Sequence, residues 1–175
     1  HYARAVALAN LKRTEEARAE LAAFDASAAA VPADWLLGVN PVAQIVPVAR
    51  GMAKGEILWH EGHRQEAWDA LRVAVDAQDH LTYDEPPGWM QPTRHALGAL
   101  LLAGERPAAA EDVFREQLRR IPGDPWALLG LEQALCALHR TTEADQLAPQ
   151  VRKAWAQADV DPPAACYCGI RSRTP

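Results

Sequence analysis

Residues 91–124, QPTRHALGALLLAGERPAAAEDVFREQLRRIPGD, restrict the fold more than any other stretch of this chain. They read as two helices joined by a short turn. Gly98 and Ala110 supply the small side chains that let two antiparallel helices cross closely, and Leu97, Leu101 and Phe114 fill the space beside the crossing. Pro107 suits the first turn of the second helix, where its missing N–H has no partner to lose. Ile121-Pro122-Gly123-Asp124-Pro125 then stops that helix and starts the next. One such pair cannot bury its own apolar face, so neighbours of the same kind must stack on it.

The rest of the chain keeps this register. The alanine that opens the second helix recurs at Ala17, Ala67, Ala110 and Ala144, with gaps of 50, 43 and 34 residues. The last gap is one repeat length, and the first two exceed it by 16 and 9 residues, matching two proline-bearing insertions. Leu97 and Leu131, and Leu101 and Leu135, are also 34 apart. The expected helical pairs are therefore 1–26, 41–79, 91–124 and 125–158. The first holds helices over 2–13 and 15–26, with Thr14 as N-cap. Residues 27–40 read as a loop with a short turn of helix at 33–37, ending in Asn40-Pro41 as the cap of the next helix. That helix runs over 42–61 and carries Pro47, which kinks it or delays its start. A turn at 62–64, a helix over 65–79 and a second insertion at 80–91 follow; helices over 126–139 and 142–158 complete the set. Glu132, where a small residue is expected, and Pro149 depart from the pattern. Val, Ile and Thr never alternate over a strand length, so no sheet is expected and the fold class is all-α.

The small and large residues of 91–124 fall where a tetratricopeptide repeat (TPR) puts them, and the chain resembles a TPR protein. The resemblance implies a right-handed α-solenoid of about four antiparallel helix pairs, lengthened by two inserted loops, over residues 1–160, with a Cys-x-Cys tail at 161–175. His1-Tyr2-Ala3-Arg4, Tyr83-Asp84-Glu85-Pro86-Pro87-Gly88-Trp89 and Pro125-Trp126-Ala127-Leu128-Leu129-Gly130-Leu131 are similar to the C-terminal part of a bacterial TPR family with a DEPPxW-type loop. That likeness implies further repeats upstream and names no reaction. The start at His1, with no polar cap before the first helix, reads as the inside of a longer chain.

Composition excludes some partners. With 18 basic and 23 acidic residues the net charge is −5, and no basic cluster exceeds Arg119-Arg120. Nucleic acid and anionic membrane are not expected as partners. No stretch approaches the roughly 20 apolar residues of a membrane span. Nothing requires an oxidising compartment, and a reducing cytoplasm fits best.

Function is expected on the concave face, which the first helices of successive pairs line in a solenoid of this type. The register places there Tyr2, Val6 and Asn10; Met52, Glu56, Trp59 and His60; His95, Ala99 and Leu102; and Trp126, Leu129, Gln133 and Cys136. Aromatic rings with Glu56, His60, His95 and Gln133 among them suit a protein or peptide segment, or a small molecule. The stiff Pro86-Pro87 holds Tyr83, Glu85 and Trp89 in a fixed relation, either at the rim of that groove or docked against a helix pair. No catalytic constellation is visible, no cofactor is expected, and a binding module or scaffold is the leading reading over an enzyme.

The alternative is a metal-binding or redox protein. His60-Glu61-Gly62-His63 lacks the four-residue histidine spacing of a zinc-protease helix. Glu56, His60 and His95 from different repeats form the candidate set for Zn²⁺ or a similar ion. Cys166 and Cys168 could chelate a soft metal or be redox-active, and a disulfide between such close neighbours would be strained. A structural spacer between domains is the third reading.

Overall fold

The computed structural model describes residues 1–159, 162 and 164–166. Eight helices are found among them: α1 Tyr2–Asn10, α2 Thr14–Ala29, α3 Val42–His60, α4 Arg64–Asp79, α5 Thr93–Ala103, α6 Pro107–Arg120, α7 Pro125–Ala137 and α8 Thr141–Ala154. The chain divides into two compact units, His1–Thr93 and Arg94–Pro175.

Four turns join α1 to α2, α3 to α4, α5 to α6 and α7 to α8, and all four have one geometry. Lys12, Gly62, Glu105 and His139 adopt positive φ, between 59° and 86°. The residue after each donates its N–H back across the turn, Arg13 to Leu8, His63 to Leu58, Arg106 to Leu101 and Arg140 to Leu135, at 2.9–3.0 Å. The positive-φ residue itself bonds three residues back, as Lys12 does to Ala9 and His139 to Cys136. This is the Schellman closure, which satisfies the last carbonyls of the first helix while reversing the chain. Only Gly62 avoids the left-handed steric penalty of roughly 1–2 kcal/mol. The same residues that finish the turn, Arg13, His63, Arg106 and Arg140, stand as N-caps of α2, α4, α6 and α8 without a side-chain cap bond. Thr14 is thus the first helical residue of α2 and not its cap. The acidic residue three positions on compensates: Arg13 pairs with Glu16 and Arg140 with Glu143, and carboxylates in a first turn favour the helix dipole.

The small–large contact inside a hairpin also repeats. A Cβ on Gly55 would lie 2.7 Å from Leu71 Cγ, and one on Gly98 would run into the Phe114 ring. Both pairs are 16 residues apart, and 43 residues separate them from each other. At the same register the first hairpin has Ala5 and Leu21, and the last has Glu132 and Ala148. The last hairpin therefore puts its larger side chain on the first helix and its smaller on the second, so Glu132 departs from the pattern together with its counterpart. Phe114 is fully buried and touches the position of Gly130 as well, which packs α7 against α6. Burying such a ring contributes roughly 1.5–3 kcal/mol.

The first unit holds both insertions. The segment after α2 forms a two-residue antiparallel ladder, β1 Leu36–Leu37 with β2 Asn40–Pro41, where a helical turn was expected. Gly38 turns it at φ 59° and leaves room for the Asp84 carboxylate, which accepts from Val39 N–H at 3.2 Å. Asn40 does not cap α3, whose N-cap is Pro41. Its fully buried amide instead donates to the Thr82 carbonyl at 2.9 Å and accepts from Thr82 N–H at 2.7 Å, clamping one insertion to the other. Pro47 lies inside α3, which starts at Val42 regardless, and Pro149 lies inside α8.

Candidate functional site

Two buried polar clusters stand out, one in each unit. In the first, Glu56 projects from the middle of α3 with 6% of its surface exposed. Gly51 and Gly55 bring α3 close to α4 on another side of the helix, where their absent side chains would meet Ala74 and Leu71. Burial pushes the Glu56 carboxyl up to about 7, against a hydrogen bond from Asn10 that favours the charged form. His60, one turn on, has Nε2 at 3.6 Å from Glu56 Oε2, too far for a hydrogen bond. Both of those atoms are buried without a partner. Burial and the nearby Lys12 charge hold the His60 imidazole below its ordinary value.

Tyr2 on α1 completes this cluster. Desolvation, then the Glu56 charge, push its phenol up to about 12, so it stays a hydroxyl. Its ring meets Trp89 edge to face, centroids 5.0 Å apart at 80°. Trp89 is 7% exposed and its Nε1 is also buried without a partner. The loop that delivers it is held by Asn40 and Asp84, while Tyr83 and Glu85 stay exposed and bond to each other. Trp89 thus sits inside the unit and the other two residues on its surface. Met52 is buried, and Trp59 is half-buried with the Arg64 guanidinium 5.5 Å above its ring.

The second cluster is closed. Asp124 caps α7, its Oδ1 accepting from Trp126 N–H at 3.0 Å and Ala127 N–H at 3.3 Å. Its Oδ2 takes Gln117 Nε2 at 2.9 Å and His95 Nε2 at 2.7 Å. Burial works to raise this carboxyl, but the bonds from His95, Gln117 and Ala127 overcome it and hold Asp124 below the usual range. An ionised carboxylate only accepts, so His95 donates from Nε2. Trp126 meets Trp155 edge to face at 4.9 Å, and Trp155 Nε1 donates to the Pro125 carbonyl at 3.1 Å. Gln133 is half-buried and Cys136 is an exposed free thiol.

Of the residues that the register assigned to a concave face, Tyr2, Asn10, Glu56 and His60 come together in the first unit. Trp89 joins them from the insertion. His95 belongs to the helix cap of the second unit. Among the described residues no group of three or more His, Cys, Asp or Glu side chains is placed to hold a metal ion. Cys166 is buried and disulfide-bonded, so its sulfur is no free thiolate ligand in this state; Cys168 lies outside the described residues. No helix among the described residues is long and apolar enough to cross a membrane.

Two open clefts occupy equivalent places in the first and last hairpins. One of about 420 Å³ is lined by Arg4, Leu8, Glu16, Ala19 and Glu20 among others. The other, about 200 Å³, is lined by their register partners Leu131, Leu135, Glu143, Gln146 and Leu147, and by Arg115 of α6. Neither contains the Glu56 cluster. Among known proteins, no family model, no curated protein and no solved structure matches the chain.

Proposed function

We propose that the chain is a TPR-type repeat module that binds a peptide segment or small ligand on the first helices of its hairpins, with Tyr2, Asn10, Glu56 and His60 as the recognising groups. The observation that carries this reading is the pair of buried, unpartnered acceptor and donor atoms on Glu56 and His60. A buried carboxyl with one oxygen unpartnered loses the solvation of that oxygen, a cost of roughly 1–3 kcal/mol that a bound donor would offset. Hairpins closed by one repeated turn, with one repeated small–large contact, support the repeat assignment.

A library of random linear peptides selected on the immobilised chain tests this reading. Enriched peptides should bind the wild type and lose at least tenfold in affinity to Glu56→Gln, with the melting temperature of the variant preserved or raised. Enrichment of peptides indifferent to Glu56, Tyr2 and His60, or no enrichment, contradicts it.

A further inference from the structure

The Glu56 cluster defines the chemistry of what it would hold, and this step rests on the binding reading above. Among the described residues no arginine or lysine lies within ion-pair distance of Glu56, and His60 stands 3.6 Å from it. The groups that face it are Tyr2 and Asn10 from α1 and His60 from α3, with Lys12 beyond His60 and Trp89 behind Tyr2. Three buried atoms of the cluster lack partners, Glu56 Oε2, His60 Nε2 and Trp89 Nε1; an ammonium can serve the first two, and Trp89 Nε1 would still need an acceptor. Tyr2 and Trp89 meet edge to face in the same cluster, and an open aromatic face attracts cations within about 6 Å of the ring. Asn10 is exposed and His60 half-buried, so the cluster reaches the surface through these two side chains.

We infer that this site takes a protonated primary amine, its ammonium donating to Glu56 Oε2 beside the Tyr2 and Trp89 rings. A neutral donor would leave the carboxyl protonated and its charge unused. An anion would be held by the protonated carboxyl and would bind more weakly as pH rises, the opposite of an amine. An ammonium supplies the missing countercharge, three donors and a partner for the rings. Because the free carboxyl titrates at about 7, an ammonium that needs it ionised displaces its proton. Binding therefore strengthens as pH rises through that value, and one proton at most leaves per amine bound. His60 is held neutral and adds no competing positive charge there. A lysine side chain, a peptide N-terminus and a free alkylamine all present this same group.

The test follows the indole N–H resonance of Trp89 while n-butylammonium, 1-butanol or butyrate is added to the intact chain. Only n-butylammonium should shift it saturably, and binding should be roughly tenfold or more weaker at about pH 5.5 than at about pH 8. Glu56→Gln, nearly isosteric, should abolish the shift while folding is retained. A peptide with a free N-terminus, its N-acetylated form and an acetylated lysine-containing peptide separate the sources of the amine. Butanol or butyrate binding through Glu56 in place of the amine overturns the ammonium inference and leaves the binding reading standing. Silence from all three probes, with selected peptides still dependent on Glu56, does the same. Silence together with peptides indifferent to Glu56 removes both.

Discussion

The two units each bury a carboxyl group beside a histidine, and they treat it in opposite ways. Asp124 accepts four hydrogen bonds, from His95, Gln117 and two backbone N–H groups, and is held ionised. Glu56 lies at a similar depth with Oε2 unbonded and is pushed toward the neutral acid. A satisfied cluster stabilises; an unsatisfied one costs stability. Counting bonds distinguishes the two clusters where residue type alone cannot: both offer a carboxyl and a histidine.

The largest effect that sharpens this contrast is the loss of Asp124. Asp124→Ala removes the α7 cap, worth about 1 kcal/mol, and leaves His95 and Gln117 buried without their acceptor, at roughly 1–3 kcal/mol. Chemical denaturation should show a total loss of about 2–4 kcal/mol, with n-butylammonium binding in the first unit unchanged. A loss below about 1 kcal/mol would break the contrast.

The next effect has the opposite sign. Between about pH 4.5 and pH 7 the unfolded chain ionises Glu56 while the folded chain keeps the proton, so stability falls as pH rises through that window. The total is about 3 kcal/mol, and Glu56→Gln should flatten the profile there. His60 acts oppositely at the acid end: its folded value is lowered, so its contribution is lost as pH falls below its ordinary 6.5. Stability should therefore peak on the acid side of neutrality in the wild type, and a profile that climbs from pH 5 to 8 would contradict the placement of Glu56.

Smaller effects test the hairpins themselves. Gly98→Ala or Gly55→Ala should cost about 1–3 kcal/mol by forcing the Phe114 ring or Leu71 aside, whereas Glu132→Ala should stay within about 0.5 kcal/mol. Smallest is the turn: glycine at Lys12, Glu105 or His139 relieves the left-handed strain and should add up to about 1 kcal/mol each. Gly62→Lys should do the reverse, since nothing lies near enough to its Cβ to obstruct it.

Much of the helical layout was legible because it rests on spacing. Gly98, Ala110 and Phe114 announce a close helix crossing, and the alanine gaps of 50, 43 and 34 residues recur as the gaps between Lys12, Gly62, Glu105 and His139. The turn at 62–64 was legible from its glycine, but the left-handed geometry of the other three was hidden, because Lys12, Glu105 and His139 are not glycine. Asn40-Pro41 reads as a helix cap by local rules, and only the distant Thr82 claims its amide. For the same reason sequence could list Glu56, His60 and His95 as equals. Which of them keeps an open bond depends on Asp124, 29 residues from His95 and visible in the sequence only as part of a turn.

The central claim is that Glu56 is buried without a countercharge until an amine supplies one. Following its carboxyl carbon by NMR across the pH range, with and without n-butylammonium, tests this most directly. The account predicts a midpoint near 7 for the free chain, moving toward the ordinary 4.5 as the amine saturates the site. A midpoint already near 4.5 without the amine, or one near 7 that the amine leaves in place, would contradict it.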